Sequence, residues 1–194
     1  MQPRLLMSAI GLGFASLYLS SAGADGGGPA GGNVLHVADK SYTLAYSYAF
    51  MSPTVDFAHS PDPMHPKMVD VPAVALSDQP LDAKVLQAAG RGVLEELDRV
   101  TKMGALLIAT AHAEADGAAD IMLRLPGWDT AKTGDLAAEQ KLTLDRSKPG
   151  QLSGRLVLVA DPKTHAIDPV NFPLIACDVA FQTAAPQPLP PVGK

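Results

Sequence analysis

The chain has 194 residues, of which 47% are hydrophobic and 18% charged, and its formal net charge is −5. That composition excludes a disordered polyampholyte and a helical membrane bundle, and 15 Lys and Arg against 20 Asp and Glu leave no basic surplus for a nucleic acid. The single cysteine, Cys177, excludes an internal disulfide and any cysteine-built zinc or iron–sulfur cage.

Arg4 precedes a mostly apolar run over residues 5–19, and Ala22-Gly23-Ala24 fits the small-x-small rule of signal peptidase. Residues 1–24 therefore read as a secretory signal peptide, with the mature protein starting at Asp25 in a secreted or periplasmic compartment. Ser8 and Ser16 interrupt the run, which is short for a membrane span of about 20 residues. An uncleaved tether is the alternative; cleavage leaves no stable membrane insertion. Residues 25–32 (DGGGPAGG) form a Gly-rich linker, and the domain spans residues 33–183. Residues 184–194 (AAPQPLPPVGK) are a Pro-rich tail that favours polyproline II and cannot join a central strand.

Within the domain the period is mostly two. Residues 33–38 predict a strand, followed by a turn at Asp39-Lys40. Tyr42, Leu44, Tyr46, Tyr48 and Phe50 then predict one long strand with a single bulky face. Residues 71–76 are another strand. Residues 81–103 depart from this pattern: Val85, Ala89, Val93, Leu97 and Val100 recur at helical spacing. Asp78 and Asp82 are cap candidates, Gly104 is a stop, and Gly90 and Gly92 predict a break. Residues 104–110 are apolar on both faces, as in a central strand.

Asp116-Gly117 signals a hairpin, and Ile121, Leu123 and Leu125 alternate up to the breaker Pro126-Gly127. Residues 141–145 alternate again. Pro149-Gly150 suits the two central positions of a type II turn, and Leu152, Gly154, Leu156 and Leu158 carry the returning strand. Gly154 marks a bulge or a close crossing. Asp161-Pro162 opens a loop, and residues 171–181 form the last strand, with Ile175, Cys177, Val179 and Phe181 on one face. That face makes Cys177 a buried apolar residue rather than a reactive thiol. The fold class is mainly β: an antiparallel β-sandwich, Greek-key or Ig-like, with one interrupted helical segment.

Four strings, residues 37–50 (VADKSYTLAYSYAF), 73–81 (AVALSDQPL), 152–156 (LSGRL) and 178–181 (DVAF), resemble a family of uncharacterised small secreted bacterial β-sandwich proteins. The family pattern often has Gly where this hairpin has Asp39. The resemblance implies a fold and an export route; it carries no activity and no site residue.

The segment 51–68 (MSPTVDFAHSPDPMHPKM) holds the best candidate chemistry. Thioether and imidazole groups suit copper, particularly Cu(I), and His59, Met64, His65 and Met68 are the candidate ligands on a proline-stiffened loop. An ordinary solvated loop is the competing reading. Ser77-Asp78 and His112 invite a Ser-His-Asp reading, but no G-x-S-x-G elbow surrounds Ser77 and Asp78 suits a cap. His112-x-Glu114 resembles half of a deaminase motif whose P-C-x-x-C partner is absent. No catalytic residue is assigned, and copper is the only cofactor implied. Trp128 reads as a ring folded over the sandwich end or as an exposed recognition anchor.

These features predict a secreted or periplasmic, non-enzymatic β-sandwich that binds a protein or small ligand through loops or a sheet face. The alternative is a periplasmic copper-type protein using the loop at 51–68. A hydrolase whose site assembles only in space is the third reading.

Overall fold

The β1 strand (Val34–Val37) and β2 (Lys40–Thr43) form a hairpin through a turn at Ala38 and Asp39, one residue earlier than expected. This computed structural model describes residues 33–56, 62, 64, 67–82, 86, 104–112, 117–128, 131–134 and 139–186. The expected signal peptide, the Gly-rich linker, most of the 81–103 segment and the tail beyond Pro186 lie outside the described residues. So do His59, His65, Glu114 and Asp116.

The remaining strands are β3 (Tyr46–Asp56), β4 (Lys67–Ser77), β5 (Leu106–Ala111), β6 (Ala119–Arg124), β7 (Lys132–Gly134), β8 (Glu139–Asp145), β9 (Gln151–Val159) and β10 (Ile175–Ala184). They make two five-stranded sheets, ordered β2-β1-β10-β9-β8 and β3-β4-β5-β6-β7. Every pairing is antiparallel. The expected antiparallel sandwich is thus present. Its connectivity is a meander and not a Greek-key or Ig-like order, because all hydrogen-bonded neighbours are consecutive in sequence except β1 and β10. Short turns make hairpins the cheapest connection, and only the closing pair spans the whole domain.

The core lies between the two inner faces. On β10 burial alternates strictly, with Ile175, Cys177, Val179, Phe181 and Thr183 inside. Facing residues from the other sheet include Val74, Leu76, Leu107, Ala109, Ile121 and Leu123. The β5 strand is buried on both sides, as its unbroken apolar run predicts. Leu107 and Ala109 join the main core, while Leu106 and Ile108 join a second cluster with Tyr48, Phe50, Ala73, Ala75, Leu81 and Leu86 on the outer face of that sheet. Leu86 sits in a helical turn, its N–H donating to the Asp82 carbonyl at 3.2 Å, so the start of the 81–103 segment covers this face.

The single strand expected from Tyr42 to Phe50 is instead two. It breaks at Leu44 and Ala45, and the chain passes from one sheet to the other. Tyr42 and Leu44 pack into the main core, whereas Tyr46, Tyr48 and Phe50 belong to the outer cluster. The sequence alternation continues without a slip through the change of sheet. A side chain that points inward from one layer of a sandwich points outward once its strand has moved to the opposite layer.

Asp161-Pro162 opens a helix, not a loop. The α1 helix (Pro162–Ile167) has Asp161 as N-cap, with its carboxylate accepting from Lys163 N–H at 3.0 Å and from the Thr164 hydroxyl at 2.6 Å. Proline at the first helical position has no N–H to lose there. The last strand starts at Ile175 and not at residue 171, because Asn171 is held in a turn by the Asp168 carboxylate. At Pro149-Gly150, Gln151 N–H donates to Lys148 O at 3.2 Å and Gly150 has φ +74°, as a type II turn requires. Gly154 is a close crossing: a Cβ there would lie 2.2 Å from the Thr143 carbonyl and 2.7 Å from the Phe181 ring.

Two seams hold the layers together. Ser47 Oγ donates to the Gln182 carbonyl at 3.1 Å, joining β3 to β10. On the other side Leu142 N–H donates to Gly117 O at 2.9 Å, beside an isolated antiparallel bridge between Ala118 and Lys141. Among the described residues no helix is long and apolar enough to cross a membrane.

Candidate ligand-binding cleft

Beside the second seam the layers part into an open cleft of about 890 Å³. Such a volume lies within the roughly 300–1,000 Å³ usual for small-molecule sites. Its floor is apolar and comes from both sheets: Val71 and Pro72 on β4, Ala111 on β5, Leu142 and Leu144 on β8. Val71 and Leu142 are buried, and Leu142 belongs to the main core.

The polar groups line the rim. His112 follows the last residue of β5, and its N–H donates to Ala118 O at 3.1 Å, which closes the β5–β6 hairpin. Its ring Nε2 lies 3.0 Å from Asp120 Oδ1, both side chains being well exposed. Gly117, at φ +83°, lets the backbone turn toward β8, and the Lys141 side chain runs past it, with Cγ 3.7 Å from the Cβ position. The lysine stem is thereby laid along the cleft wall while its ammonium keeps to water.

Arg146 sits in an Asx turn. Ser147 N–H donates to Asp145 Oδ1 at 2.8 Å, and that bond holds the Asp145 carboxyl below its ordinary range. Asp70 and Thr143 also line the rim. Among the described lining residues His112, Lys141 and Arg146 face the single carboxylate of Asp70, on a protein whose net charge is negative. Arg offers a planar fork of donors and Lys a mobile point charge, a pairing suited to a carboxylate or sulfate group.

The cleft has a His–Asp pair at its rim, but among the described residues neither serine nor cysteine lines it. Ser77 is fully buried, and its hydroxyl accepts from Gln79 N–H at 3.2 Å. Asp78 is bonded to Ala105, so Ser77, Asp78 and His112 are not brought together as a triad. Cys177 is buried, and desolvation pushes its thiol up to about 12. A thiol so far from ionising is a poor nucleophile.

Of the copper candidates, Met64 is 83% exposed and Met68, on β4 opposite Val55, is 43% exposed. Met64 N–H donates to Asp62 Oδ1 at 2.9 Å. Their expected partners His59 and His65 lie outside the described residues. Among the described residues no group of three or more His, Cys, Asp or Glu is placed to share a metal ion. Trp128 is half-buried against the main core, with Lys132 Nζ 6.0 Å from its ring centroid. It lies on a second, smaller cleft at the sandwich end.

No motif marks Lys141 or Arg146, and His112 enters the sequence reading only through the triad and half-deaminase patterns, neither of which points to this cleft. The three residues come from the end of β5, from β8 and from the turn after it, and only the cross-layer seam makes them neighbours. The one trace in the sequence is the pair of cations, Lys141 and Arg146, flanking the alternating strand 141–145. No family model matches the chain, and no curated protein and no solved structure matches it.

Proposed function

We propose that this protein is a secreted or periplasmic, non-enzymatic β-sandwich binding module whose ligand is a small amphipathic anion. The observation that carries this reading is the cleft itself, with an apolar floor under a rim holding His112, Lys141 and Arg146. The apolar body of the ligand lies on Val71, Pro72 and Leu142, and its anionic head meets the basic rim. The export signal read in residues 1–24 and the likeness to small secreted bacterial sandwich proteins support the compartment.

The test uses dodecanoate below its micellar concentration as the probe. It should raise the melting temperature of the wild-type protein in a saturable way, because only the folded state presents the cleft. A Lys141→Glu, Arg146→Glu variant changes two exposed side chains, so it should fold normally and lose the shift. Equal shifts in both proteins, or none in either, would rule the cleft out as the site.

A second reading is Cu(I) binding by His59, Met64, His65 and Met68. The specific observation favouring it is that both methionine thioethers are presented to solvent near one hairpin end. Stoichiometric Cu(I) under reducing conditions should then stabilise the wild type and leave a His65→Ala, Met68→Ala variant unchanged. Coincident melting curves would return the loop to ordinary surface.

A further inference from the structure

The smaller cleft lies at the end of the sandwich where β10 begins. It encloses about 250 Å³, below the usual range for small-molecule sites, so it suits a few peptide side chains better than a drug-sized ligand. Its lining is aromatic and proline-rich: Tyr42, Pro126, Trp128, Pro169, Val170 and Pro173. Val170 is 74% exposed and Ile167, three residues before it, is 85% exposed, so apolar surface continues beyond the groove. Contiguous exposed apolar surface of this kind marks a contact site.

The two aromatic rings are held ready. Trp128 packs on the main core, and Lys132 stands over its ring while donating to Asn171 Oδ1 at 3.0 Å. Neither the Trp128 indole N–H nor the Tyr42 hydroxyl makes a hydrogen bond among the described residues. Two aromatic residues that line one groove and carry unbonded donors suit one peptide conformation in particular. Polyproline II has no internal hydrogen bonds, so its carbonyls accept from outside, and aromatic-lined grooves are its usual receptors.

The chain itself carries such a segment. Residues 184–194 read AAPQPLPPVGK, with prolines at 186, 188, 190 and 191. It leaves the domain at the wrong end to serve its own groove. Leu174 accepts from Ala38 N–H at 2.7 Å beside the groove, whereas Ala185 donates to Gly150 O at 3.0 Å at the far end of β10. The β10 strand between them covers about 33 Å at the usual rise. A polyproline II segment of the length from Pro186 to Pro191 would span about 16 Å. A segment of that length, starting from Ala185, falls short of the groove on its own molecule, which leaves the groove of another copy.

We infer that the Tyr42–Trp128 groove binds the proline-rich segment 184–194 of a second copy of this chain. Groove and segment are different patches, so the contact is heterologous. It closes into a ring or a reciprocal pair, or it grows as an open chain. The inference is independent of what the larger cleft binds.

Trp128 is the only tryptophan, so its fluorescence reports on the groove alone. A full-length Pro188→Ala, Pro190→Ala, Pro191→Ala variant keeps every described strand and supplies an empty groove. A synthetic peptide of residues 184–194 should shift its Trp128 emission to shorter wavelength, saturably. A peptide with the same three prolines replaced should bind at least about tenfold more weakly, the signature of losing a preformed helix. A further Val170→Asp change, at an exposed position, should abolish the response. In sedimentation the wild type should self-associate with rising concentration, and the triple variant should not.

An unchanged Trp128 emission overturns the inference. So does equal binding of the proline-free peptide. Peptide binding with a wild type that stays monomeric at all concentrations overturns the second copy as occupant and points to a proline-rich segment of another protein.

Discussion

Asp78 and Ala105 bond to each other twice. The Asp78 carboxylate accepts from Ala105 N–H at 2.9 Å, and Asp78 N–H donates to the Ala105 carbonyl at 3.2 Å. The two residues are 27 apart in sequence, and their bonds tie the end of β4 to the start of β5. The carboxylate thus does for the crossover what an N-cap does for a helix, satisfying a donor at a strand start. Gly104 is required beside it, since a Cβ there would lie 2.8 Å from Asp78 Oδ1.

Asp78→Ala should therefore leave the Ala105 N–H without its partner. A loss of about 1–3 kcal/mol follows, the usual cost of stranding a buried donor. Asp78→Asn retains an accepting oxygen and should cost less. Urea unfolding of the two variants checks the order, and an alanine variant as stable as wild type would contradict it.

Gly154→Ala should be destabilising by about 1–3 kcal/mol or more, because overpacking against a backbone carbonyl has no flexible neighbour to move. The Thr143 oxygen would be 2.2 Å from the new carbon. Gly150→Ala, where nothing lies within 4 Å, should cost only the left-handed backbone penalty of about 1–2 kcal/mol. Thermal unfolding of the pair separates steric from conformational cost.

Leu44 is fully buried and the neighbouring Thr43 is exposed. Leu44→Asp should cost several kcal/mol by placing an unpaired carboxylate in the core. Thr43→Asp should be close to neutral. Equal damage from the two would mean that the chain crosses between layers somewhere other than Leu44 and Ala45.

Stability should fall in acid. Hydrogen bonds hold four carboxyls below their ordinary range: Asp145 through Ser147 N–H, Asp161 through the Thr164 hydroxyl, Asp168 through the Asn171 side chain and Asp178 through the Arg155 guanidinium. A depressed carboxyl stabilises the fold above its unfolded value and loses that contribution as pH falls through the folded one. Melting temperature should drop below about pH 4, and less steeply in Asp178→Asn. Asp78 acts in the opposite sense, since burial raises its carboxyl and protonation relieves that cost. At the alkaline end the Cys177 thiol contributes stability that is full below 9.0 and is lost as pH rises toward about 12.

Strands β5, β6, β8, β9 and β10 were legible because period-two burial and the turn residues at Gly117, Gly127 and Gly150 point the same way. The break at Leu44 was not, since alternation records only successive sides of one strand and says nothing about which layer that strand lies in. The α1 helix escaped for a different reason: it buries none of its residues, so it has no apolar stripe, and only the Asp161-Pro162 cap pair announces it. The cleft was illegible because its cations meet through a seam between β6 and β8, and no spacing along the chain records that contact.

The closing pair β1–β10 has a consequence for synthesis. In the β3–β7 sheet every strand pairs with the next one in sequence, so each meets its partner once that strand emerges from the ribosome. The β1 strand has only β2 beside it until the end of the domain arrives, and the Asn33–Ala180 contact spans 147 positions. Forming it late, against the largest loop-closure cost in the molecule, makes it the natural rate-limiting event of folding. Until then the open edge of β1 offers unpaired backbone groups to any passing strand, and Asn33, which bonds Ala180 through both ends of its amide at 2.6 and 3.2 Å, is the latch that seals it.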